Sequence, residues 1–173
     1  VAAAGLALAS LAAVAAACGG SSGSDSTSHQ GMVNGTVWVA NESGDSLMAI
    51  DAATNRVVAT LAGIDGPHNV QAAPDGTSLW AVSGTDALAV MIDTDTYAPH
   101  GIAPTGAHPA HVVVTPDGQI AYQTNGEDAT VHAIDTQTMQ TVAEIPVGEG
   151  PHGLRVSPDG RLLVVANAKG STL

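Results

Sequence analysis

Phenylalanine is absent from this chain, and aromatic residues make up only 2% of its 173 positions. A core built without bulky rings must come from Val, Ala, Ile and Leu, which favours thin layers of small side chains over one large centre. Basic residues are almost as scarce: 4 Lys and Arg against 16 Asp and Glu give a net charge of −12. That balance argues against nucleic acid as a partner, because its binding needs Lys and Arg to displace counterions. It also leaves too few cations for a phosphate-recognition cluster. An acidic surface attracts cations, but Asp51, Asp75, Asp93, Asp117, Asp135 and Asp159 recur at turn positions, where Asp serves the turn itself. The single cysteine, Cys18, excludes an internal disulfide. The one Gly-x-Ser-x-Gly match, Gly19–Gly23, lies in a Gly/Ser-rich stretch and not at a strand-to-helix elbow, and no glycine-rich phosphate loop occurs, so no catalytic residue is assigned.

What the chain does have is a repeat. The stretch PHGLRVSPDGRLLVVAN at Pro151–Asn167 returns 42 residues earlier as PAHVVVTPDGQIAYQTN at Pro109–Asn125. It returns again as PHNVQAAPDGTSLWAVS at Pro67–Ser83, and a partial copy, GTVWVAN, stands at Gly35–Asn41. Seven columns are identical in all three copies, among them Ile50/Ile92/Ile134, Asp51/Asp93/Asp135 and Gly76/Gly118/Gly160. A fixed period without insertions means one structural unit stacked on its neighbours.

Between the invariant Pro, Asp and Gly positions lie short β-type runs. Asn69–Ala73, His111–Thr115 and Gly153–Ser157 form a first strand, closed by a Pro-Asp-Gly turn. Thr36–Ala40, Ser78–Val82, Ile120–Thr124 and Arg161–Ala166 form a second. Ser46–Ile50, Leu88–Ile92 and Thr130–Ile134 form a third, each ending in Asp-x-x-Thr. Arg56–Leu61, Ala98–Ala103 and Gln140–Ile145 form a fourth, and Pro99 suits an outermost edge where no ladder N–H is needed. Four antiparallel strands per 42 residues describe a blade of an all-β propeller. A helical solenoid is excluded by the missing 3.6-residue period. A parallel β-helix is the alternative, with shorter repeats and no tight hairpins. Residues 36–173 supply about three blades plus part of a fourth, an incomplete ring, so a fragment truncated at both ends is expected.

The first 18 residues have a different character. Val1–Ala17 is apolar and uncharged, which suits a signal peptide better than a membrane span. Ala15-Ala16-Ala17-Cys18 resembles the lipobox of bacterial lipoproteins, with Ala15 where that family more often has Leu. The resemblance implies a lipid on Cys18 and cleavage just before it, hence a membrane partner and an extracytoplasmic location, cell surface or periplasm. An ordinary secretory signal and an uncleaved anchor are the other readings. Residues 19–35, Gly/Ser-rich through Gly31, then form a tether in which His29 is solvated.

Trp38-Val39-Ala40-Asn41, Tyr122-Gln123-Thr124-Asn125 and Val164-Val165-Ala166-Asn167 resemble the Tyr-Val-Thr-Asn signature of YVTN-type β-propeller repeats. The Ile-Asp-x-x-Thr and Pro-Asp-Gly segments follow in that family's order, from Gly35 to the end. The resemblance implies a secreted or surface propeller, often seven-bladed, without a fixed reaction. Trp38, Trp80 and Tyr122 share one column and are expected to pack between blades.

Histidines are the candidate chemistry. His68 and His152 share the column after the repeated Pro that opens the first strand, at the rim of a propeller's channel. The middle copy has Ala110 there, flanked by His108 and His111. Converging imidazoles suit a metal, with His68 and His152 as ligand candidates, or an anionic cofactor. Nitrous-oxide reductase and cytochrome-type nitrite reductase are similar in setting propeller histidines around copper or haem. The favoured reading of Pro-His-Gly is nevertheless a well-tolerated loop whose imidazole caps a backbone carbonyl. His100 and His132 are read as exposed or packed, Asp93-Thr94-Asp95 as a turn and not a calcium loop, and Glu42, Asp45, Glu127 and Asp128 as solvated hairpin acids. The leading expectation is a tethered binding or interaction module. The alternative is a lactonase-like hydrolase, or a metal- or haem-associated redox protein using the His-lined mouth.

Overall fold

The punctuation of the repeat becomes turns, and the runs between become strands. A computed structural model describes residues 34–173. The expected signal segment, Cys18, His29 and most of the tether lie outside the described residues. Thirteen strands follow in order: β1 Thr36–Asn41, β2 Ser46–Asp51, β3 Arg56–Ala62, β4 Pro67–Ala72, β5 Ser78–Ser83, β6 Leu88–Asp93 and β7 Pro99–Pro104. Then come β8 Pro109–Val114, β9 Ile120–Asn125, β10 Thr130–Asp135, β11 Thr141–Pro146, β12 Pro151–Val156 and β13 Leu163–Asn167.

They form four antiparallel sheets in simple meander order: β1-β2-β3, β4-β5-β6-β7, β8-β9-β10-β11 and β12-β13. Two sheets are complete four-stranded blades. The first lacks an inner strand and the last has only its inner pair, as the repeat count predicts. Among the described residues one 3-10 turn, Glu42–Gly44, is the sole helical element.

Each turn is held by the residues the repeat keeps. In Pro-Asp-Gly, the Gly76, Gly118 and Gly160 amides donate to Ala73, Thr115 and Ser157 carbonyls at 2.9, 2.8 and 2.9 Å. Their φ values of 73°, 74° and 72° lie in the left-handed region, where a side chain is penalised. In Asp-x-x-Thr, the Oδ1 of Asp51, Asp93 and Asp135 accepts both the amide and the hydroxyl of Thr54, Thr96 and Thr138, at 2.6–2.8 Å. The repeated Ile50, Ile92 and Ile134 each sit at a register shift between third and fourth strands. Pro99 is on the outer edge of its sheet, paired with Ile92 at that shift.

The core lies between blades. Leu47, Ile64, Leu79, Ala81 and Val90 join Trp38 across the first interface. Trp80, fully buried, packs with Val112, Val114 and Ile134 across the second. Val113, Val131, Leu154 and Val165 close on Tyr122 across the third. The aromatic column is therefore interblade packing, as expected, and small β-branched residues fill the rest.

Two of the expected solvated acids have work to do. Asp45 Oδ1 accepts the Gly66 amide at 2.8 Å, and Asp128 Oδ2 accepts the Ala107 amide at 2.5 Å. Both therefore hold the loops that lead into inner strands β4 and β8.

Candidate functional site

Inner strands β4, β8 and β12 all start in the same way. A residue with left-handed backbone (Gly66, His108 or Gly150, φ 57°, 54° and 63°) offers its carbonyl to an amide just past the second strand. Those amides are Gly84, Gly126 and Ala168, at 3.0, 3.0 and 2.8 Å. A buried proline follows, Pro67, Pro109 or Pro151. After it, the inner strand gains one residue against its partner: the register slips between Pro67 and Asn69, between Pro109 and Val112, and between Pro151 and Leu154. Such bulges re-aim side chains from the regular in-out alternation.

The bulges bring three imidazoles to one point. His68, His111 and His152 each present a ring nitrogen, and the three nitrogens lie within 4.8 Å of one another. Ring centroids are 5.5 Å apart for His68–His111, 5.0 Å for His68–His152 and 4.7 Å for His111–His152. Interplanar angles of 57°, 83° and 55° exclude stacking. The rings approach one another tilted or T-shaped, each from a different blade. His68 and His111 are half-buried, and His152 is exposed.

Hydrogen bonds between blades fix this arrangement. His68 Nδ1 lies 3.1 Å from the Ala110 carbonyl oxygen. A carbonyl only accepts, so Nδ1 carries the proton and the neutral ring keeps its lone pair on Nε2. This is the carbonyl-capping role expected of Pro-His, and it leaves the second nitrogen free for other work. The Val112 amide donates to Asn69 Oδ1 at 3.1 Å. Thr124 on β9, completely buried, is the residue that sequence reading missed. Its hydroxyl accepts the His111 amide at 3.1 Å and donates to the His152 carbonyl at 2.8 Å, tying two of the three histidine backbones together. Val82 stands in the same column one blade earlier, so a hydroxyl among apolar counterparts was the available signal.

Electrostatics keep two of the three rings neutral. Burial pushes the His111 imidazole down to about 4, helped by the neighbouring charges of His152, His68 and Arg155. Partial desolvation beside its neighbours also lowers His152, although the side chain reaches solvent, with His68 and His108 adding to the effect. At neutral pH His111 and His152 are therefore unprotonated, the form that donates a lone pair to a metal or accepts a proton.

The surroundings are locally basic in an acidic chain. Arg155 shares a cavity of about 300 Å³ with His111, and Lys169 shares one of about 330 Å³ with His108 and His152. These are two of the four basic side chains in the sequence. Glu127 also lines the second cavity. A roomier cavity of about 390 Å³ lies elsewhere, between the first two blades, and is lined mostly by apolar side chains such as Leu61, Ile64 and Ile102. Its polar side chains, Thr60, Ser83, Asp86 and Tyr97, include no imidazole and no cation, so the chemistry points to the histidines.

His108 does not join the three. It is exposed, held in the left-handed conformation where its counterparts are glycine, and faces the cavity it shares with Lys169. His132 is packed on the third strand with Nε2 3.9 Å from Glu144, and His100 is exposed. Neither approaches the cluster's group of ligand atoms.

Comparison with known proteins places the fold. The sequence model of the family described as "Lactonase, 7-bladed beta-propeller" matches residues 80–173. Among solved structures, hydrazine synthase of Kuenenia stuttgartiensis is similar at 27% identity and a TM-score of 0.72, over 75% of this chain and 38% of that one. A putative 6-phosphogluconolactonase from Bacteroides uniformis is similar at 15% identity and a TM-score of 0.67, over 78% of this chain and 45% of that one. Dihydro-heme d1 dehydrogenase NirN in complex with DHE is similar at 20% identity and a TM-score of 0.64, over 76% and 29%. This chain thus spans less than half the length of each, and no curated protein matches it. With more than half of its residues matched, the chain belongs to the lactonase family of seven-bladed β-propellers.

Proposed function

We propose that this chain is propeller sequence from an extracytoplasmic, lipid-anchored protein of the YVTN-repeat type, and that it binds a small anionic ligand at the mouth of its channel. The observation that carries the reading is the convergence of His68, His111 and His152 from three successive inner strands. His68 and His152 share a repeat column that stacking aligns, and His111, one position out of that column, joins them. Pockets with a few convergent polar groups at the centre of a repeat fold are where small ligands bind. The gathering of Arg155 and Lys169 beside the cluster, in a chain of net charge −12, selects an anion. The lipobox-like Cys18 and the Gly/Ser-rich tether would hold such a binding module off a membrane.

A second reading, hydrolysis of a lactone, is favoured by the family match and by the putative 6-phosphogluconolactonase among similar structures. In it, a neutral imidazole would take a proton from the attacking water. A metal- or haem-associated redox role is the third, raised by the converging histidines, with dihydro-heme d1 dehydrogenase NirN among the similar structures. One experiment separates the first two: the full-length protein, with and without His68→Ala/His152→Ala, is titrated with a panel of small carboxylates and phosphates and assayed against sugar lactones. Saturable anion binding weakened at least about 10-fold in the double variant, without turnover, supports the binding module. Turnover abolished by the same variant would replace it with the hydrolase, and anion affinity indifferent to the histidines would remove the site altogether.

A further inference from the structure

The three imidazoles do more than line a mouth. We propose that His68, His111 and His152 together bind one divalent transition-metal ion of the zinc type, with a coordination position left open to an exogenous anion. This rests on the reading of the channel mouth as the ligand site and names what holds the ligand there.

The ligand chemistry is selective. Three nitrogens converge and no carboxylate is among them, which suits Zn²⁺, Co²⁺, Ni²⁺ or Cu²⁺ and not the oxygen-seeking Mg²⁺ or Ca²⁺. A tetrahedral ion with bonds of about 2.0–2.1 Å sets its ligand nitrogens about 3.3–3.4 Å apart. From the present spread of up to 4.8 Å, the ligand nitrogens would draw in by about 1.5 Å on metal binding. The rings are tilted at 55–83° to one another and not stacked, which leaves a nitrogen of each able to face a shared centre.

The supporting contacts are those of a ligating histidine set. The Nδ1–H of His68 is anchored on the Ala110 carbonyl, which fixes the tautomer and frees Nε2. Thr124 joins the backbones of His111 and His152, so the separation of the two rings does not depend on loops. Three protein ligands and an exposed third histidine leave room for a fourth ligand from solvent, the pattern of an open site and not a closed structural one. A dication flanked by Arg155 and Lys169 makes an anion the favoured occupant of that position.

The test uses the full-length protein stripped of metal with a chelator and titrated with Zn²⁺ and Co²⁺. The expected result is one ion per chain, with Co²⁺ giving the visible absorption of a low-coordinate nitrogen site. Adding acetate should shift that spectrum, reporting the open position. His111→Ala, and separately His152→Ala at the exposed ligand, should each weaken metal binding at least about 100-fold, while His108→Ala leaves it unchanged. Thermal melting of each variant separates lost ligation from lost fold. Binding that is absent, or equal in His111→Ala, overturns the metal site. If metal fails but the metal-free protein still binds anions through His68 and His152, the ligand-site reading stands alone; if anion binding also fails, both fall.

Discussion

His108 shows how much one residue's environment can say. Its backbone occupies the left-handed position that Gly66 and Gly150 fill in the neighbouring copies, and its carbonyl is pinned by the Gly126 amide. That conformation costs a side-chain-bearing residue about 1–2 kcal/mol, so His108→Gly should raise stability by about 1 kcal/mol in equilibrium urea unfolding. An unchanged or lower midpoint would mean that the imidazole makes compensating contacts. Thr124 is the opposite case, a buried hydroxyl serving two backbones. Thr124→Val keeps the shape, but strands the His111 amide and should destabilise by about 1–3 kcal/mol. Unfolding of the variant at the wild-type midpoint would show that the amide finds another partner. Neither role announces itself in composition. The column of His108 was readable, since only glycine shares it; the partners of Thr124 lie on other strands and other blades.

At the scale of the element, the strands and turns were almost wholly legible. Each observed strand lies within two residues of its expected run, because Pro-Asp-Gly and Asp-x-x-Thr act through local backbone chemistry that needs no knowledge of neighbours. The meeting of His111 with His68 and His152 was not legible. His111 is one position out of the His68/His152 column, where regular alternation would turn it to the opposite face. The bulge after Pro109 cancels that alternation, and a bulge is set by pairing between strands, which sequence spacing does not show.

The turn acids also carry a pH dependence. Hydroxyl bonds from Thr54, Thr96, Thr115 and Ser157 lead in lowering Asp51, Asp93, Asp117 and Asp159, and amide bonds from Thr77 and Thr138 lead for Asp75 and Asp135. All six are depressed below 3.8 when folded, so their stabilisation is present above 3.8 and lost as pH falls through the folded values. Melting temperature should therefore decline cooperatively below about pH 4, and Asp117→Asn should flatten that decline. A midpoint independent of pH between 4 and 2 would contradict the turn chemistry.

Across the whole molecule, repetition solves the problem posed by a chain with no Phe. Thin blades of Val, Ala, Ile and Leu have too little area to be stable alone, but each buries its faces on the next, with Trp80 at the centre of one interface. The same stacking brings positions far apart in sequence side by side at the inner strands. It thereby turns a 42-residue period into three imidazoles that face one another. Sheet faces at the two ends remain open, with Val37 51% and Val164 49% exposed. Charge is arranged at the same scale: acids are spread over the turns, while Arg155 and Lys169 collect beside the imidazoles.

The convergence of those imidazoles is best measured by following each histidine ring through a pH titration by NMR in the metal-free, full-length protein. Burial together with the charges of His152, His68 and Arg155 puts His111 at about 4. It should therefore stay neutral through the range in which a free imidazole, at 6.5, takes up its proton. Because the unfolded chain binds that proton first, stability should fall as pH drops from about 6.5 to 4. Replacing His68 and His152 by Ala should move the His111 midpoint upward, since two of its neighbouring charges disappear. A His111 that titrates near 6.5 and ignores the double replacement would mean that the three rings do not meet.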